Sequence, residues 1–231
     1  AVADETGAST VLLGHTLDDQ AETVLLALTR GAGLRAIAGM PPIRGRYLRP
    51  LLGLRRTDTE AACTALGLTW WHDPTNLPGP EAPIRSRLRG VLPALIEALG
   101  PGLIPSLART ASQVQEDVEL LDDLADELFT RALISEADEE ADEDADTSIM
   151  SLDATTLREA PPALRSRVIR LALLAAGAGG GSLTASQIGA VRQLVDNPRG
   201  RGPVHVTGNL RARVVCGRLV IWPAPAGERS R

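Results

Sequence analysis

The densest concentration of reactive side chains is His15-Thr16-Leu17-Asp18-Asp19-Gln20-Ala21-Glu22-Thr23, three carboxylates and an imidazole in nine residues. Asp19 and Glu22 are three apart and share one face of a helix. There they can hold a cationic amine or a magnesium ion, with Asp18 next to them. Acids in a first helical turn also stabilise the helix dipole by a few tenths of a kcal/mol each, and spacing alone leaves both readings standing.

The elements around this stretch favour a ligand. Ser9 to Leu13 is a short β-branched and apolar run ending at Gly14-His15, after which the pattern turns helical. Thr16 can cap that helix with Asp19 at the third helical position, while Leu17, Ala21, Val24, Leu25 and Leu28 make its apolar face and Gly31 and Gly33 end it. The cluster then lies at the carboxyl end of a strand, where open α/β sheets bind ligands. Beyond a loop with Pro41 and Pro42, a helix is predicted over 56–66 and a short strand over Leu68 to Trp71. This alternation implies an α/β layer with a parallel sheet. Residues 73–83 read as loop, in which Asp73 and Asn76 either close an Asx turn or face a substrate. Trp70-Trp71 reads more readily as one core and one surface residue than as a base-stacking pair.

From Ile84 the chain is mainly helical, with Arg85, Arg87 and Arg89 close together. A long helix is predicted over 104–134, with Leu107, Val114, Val118, Leu121, Leu124, Leu128 and Leu133 as its apolar stripe. Glu136 to Asp146 holds eight acids in eleven residues and reads as a disordered linker. From Ser148 onward helices over 161–176 and 184–195 and strands near 203–207, 211–216 and 218–222 make a small α+β unit. The organisation expected is 1–83 as part of an α/β domain, 84–135 helical, 136–147 acidic linker and 148–231 as the α+β domain.

Composition bounds the function. The 231 residues are 44% hydrophobic and 2% aromatic, as in a globular chain, and no stretch approaches the roughly 20 apolar residues of a membrane span. Cys63 and Cys216 are too few and too far apart for a disulfide framework or a cysteine metal site, which fits a reducing, cytoplasmic compartment. The net charge of −5 is uneven: residues 111–150 carry one Arg against 15 acids, and residues 151–231 carry 12 Arg against four. There is no Lys. An Arg-only excess of this kind suits RNA phosphate, although Arg-biased codon usage would produce the same count.

The motifs, taken in order, match a family. Gly14-His15-Thr16-Leu17-Asp18-Asp19-Gln20-Ala21-Glu22-Thr23, Arg30-Gly31-Ala32-Gly33, Ala38-Gly39-Met40, Arg49-Pro50-Leu51-Leu52, Asp73-Pro74-Thr75-Asn76 and Arg85-Ser86-Arg87-Leu88-Arg89 closely resemble the tRNA(Ile)-lysidine synthetases of the PP-loop ATP pyrophosphatase superfamily. Residues 161–222 resemble that family's tRNA-binding domain. The resemblance implies a partial Rossmann-like, adenine nucleotide alpha hydrolase-like domain, a helical middle region and the small α+β domain. It also implies a reaction: ATP adenylates the wobble cytidine of tRNA-Ile(CAU), and the ε-amine of L-lysine displaces AMP. On that analogy Asp19 and Glu22 hold the amine, and Arg85 and Arg87 offset phosphate charge. His15, Asp18, Arg30 and Gly31 contact ATP, and Asp18 and Asp19 hold magnesium. Arg89, Asp73 and Asn76 face the substrate, while Arg165, Arg167, Arg170, Arg211, Arg213 and Arg218 take tRNA phosphates. No membrane partner is implied, and a homodimer is open.

One departure stands out. The family's Ser-Gly-Gly-x-Asp-Ser phosphate loop is absent from these residues, and Gly179-Gly180-Gly181-Ser182 lies in the wrong domain without the Asp-Ser. The chain therefore reads as a piece of a longer protein, inactive alone. The competing readings are a non-catalytic RNA-binding module built on the basic C-terminal domain, a tRNA thiolase, disfavoured by its lone cysteines, and an acidic scaffold resting on the charge run alone.

Overall fold

In a computed structural model, the structure describes residues 2–76, 79, 81–134, 150–197 and 202–224. The chain divides into two compact units, Ala1–Val118 and Glu119–Arg231. The expected acidic linker falls outside the described residues.

The first unit opens with a short helix not expected from the sequence, α1 (Val2–Glu5), followed by β1 (Val11–Leu12) and α2 (Leu17–Thr29). A single turn, α3 (Leu34–Ile37), leads to a hairpin, β2 (Ile43–Arg44) and β3 (Tyr47–Leu48), in the loop where only Pro41 and Pro42 were notable. The strands order β1-β3-β2, with Val11 opposite Tyr47 in a parallel pair and Ile43 opposite Leu48 in an antiparallel one. The sheet is therefore mixed, with one parallel pair.

After α4 (Arg56–Ala65) no strand forms over Leu68 to Trp71. Trp70 instead sets its ring edge-on to His72, centroids 5.8 Å apart, and Trp71 is largely exposed. A 3-10 turn (Pro74–Asn76), α5 (Ile84–Leu99) and the long α6 (Leu103–Ala132) follow. A buried cluster of Ala21, Leu92 and Ile104, flanked by Leu17, Leu25, Leu88 and Leu95, packs α5 and the start of α6 on α2. Leu28, expected on that apolar face, is exposed, and the buried residues of α2 include Asp19, Gln20 and Glu22.

Along α6 the buried positions are Ile104, Ala108, Ala111, Val118, Ala125, Leu128 and Ala132. The seam runs largely through alanines, which let neighbouring backbone approach, whereas Leu124 and Leu133 of the expected stripe lie exposed.

In the second unit β4 (Met150–Asp153) and α7 (Ala154–Glu159), neither expected from the sequence, precede α8 (Pro162–Ala175), α9 (Ala185–Asp196), β5 (Val204–Val206), β6 (Leu210–Val215) and β7 (Arg218–Pro223). The strands form an antiparallel sheet, β4-β7-β6-β5. Period-two alternation buries Leu210 and Ala212 of β6 and Leu219 and Ile221 of β7 against Val168, Ile169, Leu173, Val191 and Leu194 of the helices. Asp153 caps α7 by accepting from the Thr155 and Thr156 amides at 3.0 and 3.1 Å.

Candidate functional site

Helix α2 begins at Thr16, and the Asp19 carboxylate reaches back to accept from the Thr16 amide and hydroxyl at 2.9 and 2.8 Å. This fixes one Asp19 oxygen and turns the other outward. One turn on, Glu22 points the same way with its side chain 2% exposed. Arg89 of α5 closes over both. Its Nε donates to Glu22 Oε1 at 2.6 Å, and its terminal nitrogens reach Asp19 Oδ1 at 2.9 Å, Glu22 Oε2 at 3.0 Å and Asn76 Oδ1 at 2.6 Å.

One helical turn before Arg89, Arg85 donates to Thr23 Oγ1 at 2.6 Å and lies 3.5 Å from Glu22 Oε2. The i, i+4 spacing puts Arg85 and Arg89 on one face of α5, while the adjacent Leu88 and Leu92 pack that helix on α2. Arg87 is on the exposed side of α5, away from the carboxylates. The structure thus brings Asp19, Glu22, Arg85, Arg89 and Asn76 together and leaves Arg87 out.

Asp18 faces another neighbour. Arg55 straddles its carboxylate with Nε 3.2 and 3.1 Å from the two oxygens and a terminal nitrogen at 2.9 Å, and the Arg56 amide donates at 2.8 Å. The Arg56 guanidinium meets Asp19 at 3.3 Å. Burial pushes the Asp18 and Asp19 carboxyls upward. It is outweighed by Arg55 and the Arg56 amide at Asp18, by Thr16, Arg56 and Arg89 at Asp19, so both sit below the usual carboxylate range. The Glu22 hydrogen bond, against the opposing effect of burial, raises the Arg89 guanidinium further.

These contacts bear on the magnesium expectation. Every Asp18 and Asp19 oxygen accepts from a guanidinium, a hydroxyl or an amide, and among the described residues no group of three or more His, Cys, Asp or Glu could hold a metal. The residues present do not fit an ion without displacing a guanidinium.

Arg55 and Arg56 were not picked out by motif reasoning. A signal was available, because two arginines opening a helix oppose its dipole and that placement calls for an acidic partner elsewhere. Gln20 is a second omission. It brackets Met40, donating to its carbonyl at 3.1 Å and accepting from its amide at 2.8 Å. A Cβ on Gly39, at φ +67°, would stand 2.7 Å from the Gln20 amide oxygen, so only glycine fits.

Residues expected to meet ATP are divided. His15 stands just beyond β1 with a buried Nδ1 that has no hydrogen-bond partner. Nearby, an open cavity of about 220 Å³ is lined by Gly14, Thr16, Asp19, Arg56, Glu60 and Trp70 among others. Arg30 and Gly31 are exposed at the opposite end of α2, about 20 Å away at 1.5 Å per residue. Asp73 begins the turn that delivers Asn76, its carbonyl accepting from the Asn76 amide at 3.0 Å.

In the second unit Arg165 serves the fold. It donates to the carbonyls of Leu157, Arg158 and Ala160 at 2.7, 2.5 and 2.8 Å, pairs with Asp196, and is 11% exposed. Arg167 meets Asp122 at 2.5 Å. Arg211 and Arg213 alternate with buried Leu210 and Ala212, so they lie on the sheet face turned from the helices. There Arg211 stands opposite Trp222, and Arg213 lies 5.9 Å from the Trp222 ring centroid.

Comparison with known proteins follows this division. Residues 1–95 match the PP-loop domain family and residues 152–220 the TilS substrate binding domain. Over most of its length the chain is similar to curated proteins named tRNA(Ile)-lysidine synthase. That of Streptomyces coelicolor is 42% identical over 225 residues, 96% of this chain and 60% of the relative. That of Mycobacterium bovis is 48% identical over 209 residues, 90% and 61%. That of Mycolicibacterium paratuberculosis is 48% identical over 221 residues, 93% and 63%. The chain therefore spans about 60% of the length of the curated relatives it matches. One solved structure, the tRNA thiolase NcsA from Methanococcus maripaludis, aligns with 50% of this chain and 39% of its own at 21% identity and a TM-score of 0.38, too loosely to add to this.

Proposed function

We propose that these residues belong to an ATP-dependent ligase that joins the ε-amine of L-lysine to the wobble cytidine of tRNA-Ile(CAU). Transfer of adenylate from ATP to the cytosine 2-carbonyl oxygen releases pyrophosphate. The amine then bonds to the ring carbon, AMP departs with that oxygen, and the amine sheds a proton. The PP-loop domain supports the use of ATP, and the substrate-binding domain with its named relatives supports tRNA.

The observation that carries the lysine assignment is the Asp19 and Glu22 pair, two carboxylates on one helix face with a guanidinium across them. A buried pair of this kind is built around a cation, because each charge lacks water and needs a counter-charge. An incoming ammonium exchanges one guanidinium for another monovalent hydrogen-bond donor, which a divalent ion needing a shell of oxygens does not do, and Glu22, the more deeply buried, is placed to accept its proton. His15, with its unpartnered Nδ1 at the end of β1, is the candidate nucleotide contact. The phosphate loop is not among these residues, so the chain alone is expected not to turn over ATP.

The test is lysidine formation by a protein that joins these residues to a phosphate loop and carries Asp19→Ala or Glu22→Ala. The expected result is a raised KM for lysine with tRNA-dependent pyrophosphate release retained. Unchanged lysine dependence overturns the amine assignment. If that protein binds tRNA yet releases no pyrophosphate, the RNA-binding module is supported instead.

A further inference from the structure

Helices α8 and α9 enclose an open groove of about 340 Å³ lined by Ser166, Arg167, Arg170, Ile188, Gly189 and Arg192 among others. Arg167 and Arg170 are three apart on α8. Ile188, Gly189 and Arg192 recur at helical spacing on α9, so each helix turns one face into the groove.

The charges do not cancel. Asp196 is engaged by Arg165, and its other oxygen stands 3.9 Å from Arg192, beyond hydrogen-bond reach. Arg192 Nε is buried without a hydrogen-bond partner. Asp122 is paired with Arg167, and among the described residues no acid pairs with Arg170. Arg192 thus shares the single charge of Asp196 with Arg165 through a long ion pair, and its desolvated Nε donor is left unused, which is costly until an acceptor arrives.

Gly189 supplies an independent observation. A glycine inside a helix is less stable than alanine, and here a Cβ would meet nothing within 4 Å. Among the described residues nothing fills the space beside Gly189, so the groove is open down to the α9 backbone there and can admit a ligand.

We propose that this groove seats a phosphodiester of an RNA backbone, held by Arg170 and Arg192 and admitted by Gly189. The ligand class rests on the reading of this domain as the tRNA-binding part. The anionic chemistry rests on the groove itself. Forked guanidinium donors match phosphate oxygens, and a site of this kind reads the backbone rather than base identity.

The test uses the 231-residue chain, an A-form RNA hairpin and inorganic phosphate, with circular dichroism and thermal midpoints checking that each variant folds. Arg170→Ala with Arg192→Ala is expected to weaken hairpin binding and lower the slope of log affinity against log salt by about one for each phosphate no longer neutralised. Gly189→Leu fills the groove without changing charge and is expected to weaken hairpin binding as well, whereas Gly189→Ala raises the thermal midpoint. Hairpin binding with the wild-type slope in both the double variant and Gly189→Leu overturns the groove while leaving tRNA binding to Arg211 and Arg213. Absence of hairpin binding by the unmodified chain overturns the RNA reading. Inorganic phosphate bound in its place, and released in the double variant, assigns the groove to a free anion and overturns the phosphodiester.

Discussion

The two units hold themselves together by different means. In the second, a continuous apolar core joins α7, α8, α9, the end of α6 and one face of the sheet. In the first, the apolar cluster is small, α4 buries no residue, and Leu12, Leu54, Leu66 and Trp71 stand exposed. The guanidinium and carboxylate network around Asp18, Asp19 and Glu22 ties α2 to α4, and joins the small apolar cluster in tying it to α5. Candidate site and scaffold are thus the same residues in the first unit. In the second, stability sits in the core, which leaves surface arginines such as Arg170 available for a ligand.

The comparison breaks most readily at Arg89. Arg89→Ala leaves buried Glu22 with only Arg85 nearby, and a loss of about 3–5 kcal/mol from the first unit is expected, because a buried charge without its partner keeps its desolvation cost. Urea unfolding followed through Trp70 and Trp71 in a Trp222→Phe background measures it. A loss below about 1 kcal/mol, the value of an exposed pair, would mean that the network does not hold the unit.

Ile169→Ala, at a fully buried core position, is expected to cost the second unit about 2–5 kcal/mol, read through Trp222 with Trp70 and Trp71 replaced by Phe. The unfolding of the first unit should not move. If it moves equally, the units unfold together and the contrast between them fails.

Asp153→Ala removes the acceptor at the start of α7 and should cost about 1 kcal/mol, with Asp153→Asn recovering most of the loss. Equal loss in both variants would point to charge rather than capping.

The smallest effect expected is in acid. The folded pKa values of Asp18 and Asp19 lie below the ordinary 3.8, so their contribution is complete above that pH and is lost as the pH falls through the folded values. Asp4, exposed and paired with Arg46, is shifted the same way in the first unit and Asp153 in the second, so among the described residues the first has three such groups and the second one. Thermal midpoints recorded between about pH 5 and 2, a window spanning the carboxylate range, should fall further for the first unit. Parallel curves would contradict the network's part in its stability.

Much of this organisation was legible in the chain. The Thr16 start of α2, the helices α4, α8 and α9 and the strands β5 to β7 follow from patterns acting over a few residues. β4 and α7 are not legible because the strand Met150–Asp153 runs directly into the helix at Ala154, with no turn residue between them, and a six-residue helix is too short to show its repeat. The stripe on α6 was misread because leucines were weighted over alanines, although close helix packing favours the smaller residue.

By itself the sequence determined the carboxylate cluster at a strand end, the helices that carry the site, the separation of acidic from basic segments and the family motifs, since each is a local property of residue type and spacing. Only the tertiary structure decided which charges meet. Asp18 finds Arg55 across 37 positions and Glu22 finds Arg89 across 67, Arg165 turns inward while Arg170 faces a groove, and Arg30 is left a helix length from His15. Such pairings depend on how helices pack, and packing joins residues whose distance along the chain carries no signal of their contact.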